Sequence, residues 1–158
     1  MSDRYHHQPS RPGSVTVEFA VVAPVFLFTA LGVTQASRLY ETKAQLSTAA
    51  REGARIAAMS RDGILSAGGQ TNAKIATDVI NFLKAAGLPE DQITVSIKDH
   101  ESPQVDFNLD DPANDLKLFR LTVSIPSTAV SSLAITGGGN SDLSATLVFR
   151  NAQAAIGQ

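Results

Sequence analysis

Between Glu18 and Arg38 the chain carries nineteen consecutive residues without a charged side chain. Phe, Ala, Val and Leu dominate, and Thr29, Thr34 and Gln35 are the polar interruptions. As a helix rising about 1.5 Å per residue, this run covers roughly 28 Å, close to the ~30 Å hydrocarbon core of a bilayer. The pattern predicts a membrane-spanning helix. Pro24 lies inside it. An interior proline removes one helical hydrogen bond and usually bends a helix, but membranes tolerate it where neighbours re-satisfy the freed carbonyl.

From Arg38 to Met59 the pattern becomes one-sided. Leu39, Leu46, Ala50, Gly53, Ala54, Ala57 and Ala58 recur along one stripe at helical spacing, with Glu41, Lys43, Gln45, Arg51, Glu52 and Arg55 mostly elsewhere. This predicts an amphipathic continuation of the same helix, about 45 residues in all. The small residues of the stripe allow another backbone to come close, either within the chain's own domain or between subunits.

Gly63 and Ser66–Gln70 then make a loop. Thr71 or Asn72 caps a short second helix with Ile75, Val79, Phe82, Leu83 and Ala86 on one face, and Gly87 and Pro89 end it. Beyond it the period shortens to two. Ile93, Val95 and Ile97 form one strand; Val105, Phe107 and Leu109 a shorter one; Phe119, Leu121, Val123 and Ile125 a strong one stopped by Pro126. After the Thr136–Asn140 turn, Leu143, Ala145, Leu147 and Phe149 form the last. Clean alternation means one face in water, so the sheet is antiparallel and covered on one side. The expected fold is α+β: a long N-terminal transmembrane and amphipathic helix, a short second helix, and an antiparallel sheet of three to four strands. Residues 1–13 form a hydrophilic leader, 14–60 the long helix and 61–158 the α+β domain.

Charge places these parts. The net charge is −2, which does not suggest a nucleic-acid partner. Residues 1–60 hold six basic and four acidic side chains, residues 61–158 seven and eleven. Arg4 and Arg11 against Asp3 ahead of the span put the N-terminus in the cytoplasm and the domain outside a bacterial inner membrane. The chain has no cysteine, which excludes a disulfide framework, thiolate catalysis and zinc–cysteine sites.

No catalytic set stands out, and no enzyme, cofactor or metal centre is expected. Asp99-His100-Glu101 reads as a solvated turn, and Asp110, Asp111 and Asp115 lack the spacing of a calcium loop. Gly137-Gly138-Gly139 lacks the Lys-Ser/Thr of a phosphate loop, and there is no Gly-x-Ser-x-Gly elbow. His6-His7 sits in the polar tail and reads as solvated.

The residue whose chemistry needs a reason is Glu18, a carboxylate at the edge of hydrocarbon, where such groups are paired, protonated or functional. Five residues upstream, Gly13 leaves its backbone open to a peptidase. The pattern Gly13-Ser14-Val15-Thr16-Val17-Glu18-Phe19 resembles the processing site of tight-adherence prepilins, with Phe19 where that group often has Tyr. With Pro24 inside the span, Arg38-Leu39-Tyr40 after it, and Ala49-Ala-Arg-Glu-Gly-Ala-Arg55, the block from 13 to about 58 resembles the TadE-like pseudopilin family. The resemblance implies a minor pilin cleaved between Gly13 and Ser14 by a prepilin peptidase, with Glu18, Phe19 and Pro24 serving subunit assembly. Its partners are then the peptidase, sister pilins and the inner-membrane assembly platform of the pilus, and its output assembly or adhesion. Two other readings use the same span. One is a membrane-anchored periplasmic binding domain that never polymerises. The other is a secreted domain cut after Ala36, against which stand Glu18 at the front of the apolar core and the helix running on past it.

Overall fold

The computed structural model describes residues 12–58, 71–130 and 142–151. The chain divides into two compact units, residues 1–37 and 38–158. Residues 1–11 of the predicted leader, the loop after Met59 and the glycine turn at 136–140 lie outside the described residues, while the leader's last two residues, Pro12 and Gly13, open the first helix.

The first element, α1, runs as one helix from Pro12 to Ala58, 47 residues with Pro24 inside. Proline is well placed at the first helical position, where a missing N–H costs nothing. The distal part of α1 belongs to the second unit together with α2 (Thr71–Ala85), β1 (Thr94–Asp99), β2 (Leu118–Pro126), α3 (Ser127–Val130) and β3 (Asp142–Arg150). The three strands form an antiparallel sheet in the order β1-β2-β3. Phe119, Leu121, Val123 and Ile125 of β2 alternate onto the covered face and are fully buried. Leu143, Ala145, Leu147 and Phe149 of β3 are half-buried against them. The opposite face carries Arg120, Thr122 and Ser124, and there Thr122 and Thr146, directly opposite in register, share a hydroxyl hydrogen bond of 3.0 Å.

The cover comes from two helices. α2 buries Ile75, Val79 and Leu83, each worth roughly 1.5–3 kcal/mol of transfer free energy. Phe82 and Ala86, expected on the same face, are exposed. The buried stripe is one residue wide, and Ala86 stands beyond the helix end. That end is a Schellman turn: Gly87, at φ +90°, donates to the Lys84 carbonyl (2.9 Å), and Leu88 donates to Leu83 (3.1 Å).

At its start α2 is held by side chains distant in sequence. The Asp110 carboxylate accepts the Thr71 N–H at 3.0 Å and the Thr71 hydroxyl. Asn72 donates to the Phe107 carbonyl (2.6 Å) and accepts from the Leu109 N–H (3.1 Å). This explains why the expected strand at 105–109 is only a bridge. Its main chain meets β1 at Lys98–Asp106, with Asp99 donating to Val105 (3.0 Å) and Phe107 to Ile97 (3.1 Å). It then turns to the Asn72 amide, which stands in for a neighbouring strand. Phe107 and Leu109 still point inward and are buried, while Val105 is exposed. The Phe107 and Phe119 rings lie 5.6 Å apart.

Leu116 takes a left-handed φ of 62°, costly for a bulky side chain by about 1–3 kcal/mol. The buried Asn151 holds this corner. Its carbonyl accepts the Leu116 N–H (2.9 Å), and its amide donates to the carbonyls of Leu109 (3.3 Å) and Asn114 (3.2 Å).

The distal stretch of α1 buries Thr42, Leu46, Ala49, Ala50, Ala54 and Ala57 in the same core. At Gly53 a Cβ would stand 2.5 Å from Val79 Cγ2 and 3.1 Å from Leu121 Cδ2. The missing side chain is therefore the slot into which α2 and β2 close. Gly53→Ala should destabilise the full-length protein in detergent by about 1–3 kcal/mol through overpacking, despite alanine's better helix propensity. Combining it with Val79→Ala should recover part of that loss in chemical denaturation, because the two substitutions share one contact.

Candidate functional site

The first unit consists, in its described residues, of the proximal part of α1. Eleven large apolar side chains from Val15 to Val33 are each more than half exposed, with Phe28 at 76%. They occupy every side of the helix, since Val25-Phe26-Leu27-Phe28 runs through more than a full turn. A helix apolar all round is a membrane or core helix, and the side chains of this one are exposed. Its most apolar stretch has a mean hydropathy of 2.0 and no buried residue. It is long and apolar enough to cross a membrane.

The polar interruptions suit that surrounding. Thr29 donates its hydroxyl to the Val25 carbonyl at 2.8 Å, and Thr34 to Ala30 at 2.9 Å. Neither hydroxyl then needs a partner from outside the helix, which removes most of the penalty of taking it into lipid. Pro24 has no N–H for the Ala20 carbonyl.

All five residues singled out from the sequence fall on this segment. Gly13 and Ser14 are in the first turn of α1, whose N–H groups have no helical acceptors. Glu18 follows Ser14 by four residues, a rise of about 6 Å. Glu18, Phe19 and Pro24 are exposed. At about 100° per residue they point to different sides of the helix, so lipid or another helix can meet each of them.

The second half of the resembling block has a different task. In Ala49-Ala-Arg-Glu-Gly-Ala-Arg55, Ala49, Ala50, Gly53 and Ala54 face the core, and Arg51 and Arg55 face outward. Arg55 donates through Nε to Glu52 Oε2 at 3.0 Å, an exposed contact of small energetic weight that holds the Glu52 carboxyl below its usual range. The small-residue stripe is spent on packing inside the chain's own domain, so the alternative of a stripe kept for subunit contacts does not describe residues 46–57.

The polar clusters turn out to be structural. Asp99 Oδ1 accepts the N–H groups of Glu101 (2.7 Å) and Ser102 (2.9 Å), closing the turn after β1. Asp110 starts α2, and Asp111 accepts the Ala113 N–H (2.9 Å) to cap the 3₁₀ turn Pro112–Asn114. No group of three His, Asp or Glu side chains arranged to hold a metal occurs among the described residues. Sequence reading offered Asn72 only as a cap for α2, whereas it binds the 107–109 main chain, and did not single out Asn151. The signal was there in part, since an asparagine after an alternating strand is a natural latch for main-chain groups.

Residues 13–55 match a protein-family model described as TadE-like protein. No curated protein and no solved structure matches the chain. The match spans both halves of the long helix, the exposed apolar segment and the stretch that carries the Gly53 slot. The likeness to TadE-like proteins thus lies on the N-terminal helix, whose proximal part is long and apolar enough to cross a membrane.

The Asp99 turn gives a pH test outside that helix. The hydrogen bond from the Ser102 N–H, helped by that from Glu101 and by the charge of Lys117, holds the Asp99 carboxyl below its ordinary value against the opposing effect of desolvation. A depressed carboxylate stabilises the fold above its unfolded value of about 3.9 and loses that contribution as pH falls through the lower folded value. Carboxyl NMR titration should place the Asp99 midpoint below about 3.9, and Asp99→Ala should show a shallower loss of stability on acidification below about pH 4.

Proposed function

We propose that this chain is a minor pilin-like subunit of a tight-adherence pilus, inserted with its N-terminus in the cytoplasm and its α+β domain on the periplasmic or outer side. The observation that carries the reading is the family match over an α1 segment whose apolar surface is uncovered on all sides. In this reading a prepilin peptidase cleaves between Gly13 and Ser14. The bond lies in the first helical turn, where unwinding sacrifices few hydrogen bonds. Cleavage creates a free amine on Ser14. Glu18 of one subunit then pairs with the Ser14 amine of a neighbour, which offsets the burial of both charges as subunits leave the bilayer. A lone carboxylate inside a membrane costs about 2.5–3.5 kcal/mol on insertion scales, so a partner is worth having. Phe19 and Pro24, on other sides of the same helix segment, contact sister pilins and the inner-membrane assembly platform. The role is structural and adhesive, not enzymatic.

Intact mass and terminal-peptide mapping of the membrane-extracted protein should give a chain starting at Ser14. A chain that keeps Met1 or Ser2 would instead indicate a static anchored domain, and one starting at Ser37 a secreted domain; either result would overturn the proposal. Once processing is established, Glu18→Gln should lower incorporation into sheared pili by about tenfold or more, the scale of leaving one partner of a buried pair alone. Unchanged incorporation would remove the pairing role of Glu18.

A further inference from the structure

The sheet has two outer edges, and they are treated differently. On β1 the edge is partly closed: Ile97 and Asp99 bond to the 105–107 segment, and Lys98, Asp99 and Asp106 place charges along it, with Lys98 3.5 Å from Asp106. Charges and a covering segment are the usual devices that stop a sheet from growing.

β3 has neither. It is nine residues long and has no partner on its outer side among the described residues. From Leu143 to Phe149 it carries no charge, proline or glycine. Two hydrogen bonds fix which of its main-chain groups face outward. Asn151 donates to Lys117 across β2 (2.9 Å), so Leu143, Ala145, Leu147 and Phe149 turn their N–H and C=O groups toward β2. His100 takes the Leu118 carbonyl on the other side (3.3 Å), which leaves Arg150, opposite Leu118, facing outward. Asp142, Ser144, Thr146, Val148 and Arg150 therefore present an unpaired row.

The ends of this row have opposite charge, Asp142 at one and Arg150 at the other, both exposed. We infer that β3 pairs antiparallel with β3 of a second copy of this chain, with Thr146 on the two-fold axis, making one six-stranded sheet. The register is over-determined. Outward-facing residues must pair with outward-facing residues, and centring on Thr146 achieves this while setting Asp142 beside the partner's Arg150 and Ser144 beside the partner's Val148. On the covered face the same register sets Leu143 against the partner's Phe149 and Ala145 against the partner's Leu147, side chains that the monomer leaves half-exposed. A mismatched strand would leave a terminal charge without its opposite, so charge selects the chain's own copy and the alignment together.

The absence of cysteine allows a direct test in membranes carrying the full-length chain. Under copper–phenanthroline oxidation, Thr146→Cys should form a covalent homodimer, because residues paired on the axis have Cα atoms about 5.5 Å apart. Ser144→Cys, whose copy sits four residues away or roughly 13 Å along the strand, should yield about tenfold less. Asp142→Arg in the Thr146→Cys background should lower the dimer yield by a similar factor, and adding Arg150→Asp should restore it. These substitutions are at exposed positions, so loss of fold does not explain a loss of cross-linking. Equal yields at 144 and 146, no homodimer at 146, cross-linking to a protein of another mass alone, or failure of the charge swap to restore the dimer would each overturn the inference. The readout does not depend on whether the chain is cleaved at Gly13.

Discussion

A methyl group at position 53 has no room, and much of the domain follows from that. Because Gly53 lacks a side chain, Val79 of α2 and Leu121 of β2 close on the α1 backbone itself. The contact ties three elements that are far apart in sequence: the end of the long helix, the middle of the second and the centre of the sheet. Around it Ala49, Ala50, Ala54 and Ala57 keep the same close approach along the stripe, and Leu46 fills the far end. The distal helix is thus a wall of the core, and α1 cannot slide past the sheet without pulling Val79 and Leu121 out of place.

That constraint gives one continuous helix two tasks. Before Ser37 the apolar residues surround the helix, which favours lipid or other helices on every side. After Arg38 they gather on one stripe and meet the chain's own core. A family resemblance spanning residues 13–55 therefore joins two physically separate requirements: a surface for an outside medium, and a backbone smooth enough for α2 and β2. The glycine and alanines near Arg55 are explained by the second requirement alone.

Much of this was legible in the sequence because it depends on period and composition. The uncharged run to Ser37, the alternation in β2 and β3, and the stop at Gly87 each arise from local rules. What was hidden depends on partners remote in sequence. Phe82 seemed to belong to the buried face of α2 by spacing, yet α2 buries the narrow row of Ile75, Val79 and Leu83, with Val79 and Ile75 at the Gly53 slot, and leaves Phe82 at the rim with Ala49, Glu52 and Ile56. The alternation at 105–109 gave the inward residues correctly but not the ladder, because Asn72 supplies the donor and acceptor that a strand would have supplied. Asp110, which read as part of an acidic cluster, is the cap of a helix that begins thirty-nine residues before it. The candidate assembly residues Gly13, Ser14, Glu18, Phe19 and Pro24 all fall on one helix, which the uncharged run after Glu18 had predicted.

The fold is incomplete in two ways, and the two have different remedies. The proximal helix exposes its apolar side chains while its backbone is satisfied internally, and a bilayer would cover them without any specific partner. Among the described residues the outer edge of β3 lacks acceptors and donors for its backbone while its side chains are mild, and lipid offers nothing to an N–H group. Water can satisfy that edge, but water does not cover Leu147 and Phe149 on the core side. Only another strand answers both needs at once, the hydrogen bonds in the plane of the sheet and the apolar contact beneath it. The charge at each end of β3 then decides which strand, since a neutral or like-charged sequence would leave Asp142 and Arg150 facing each other's absence.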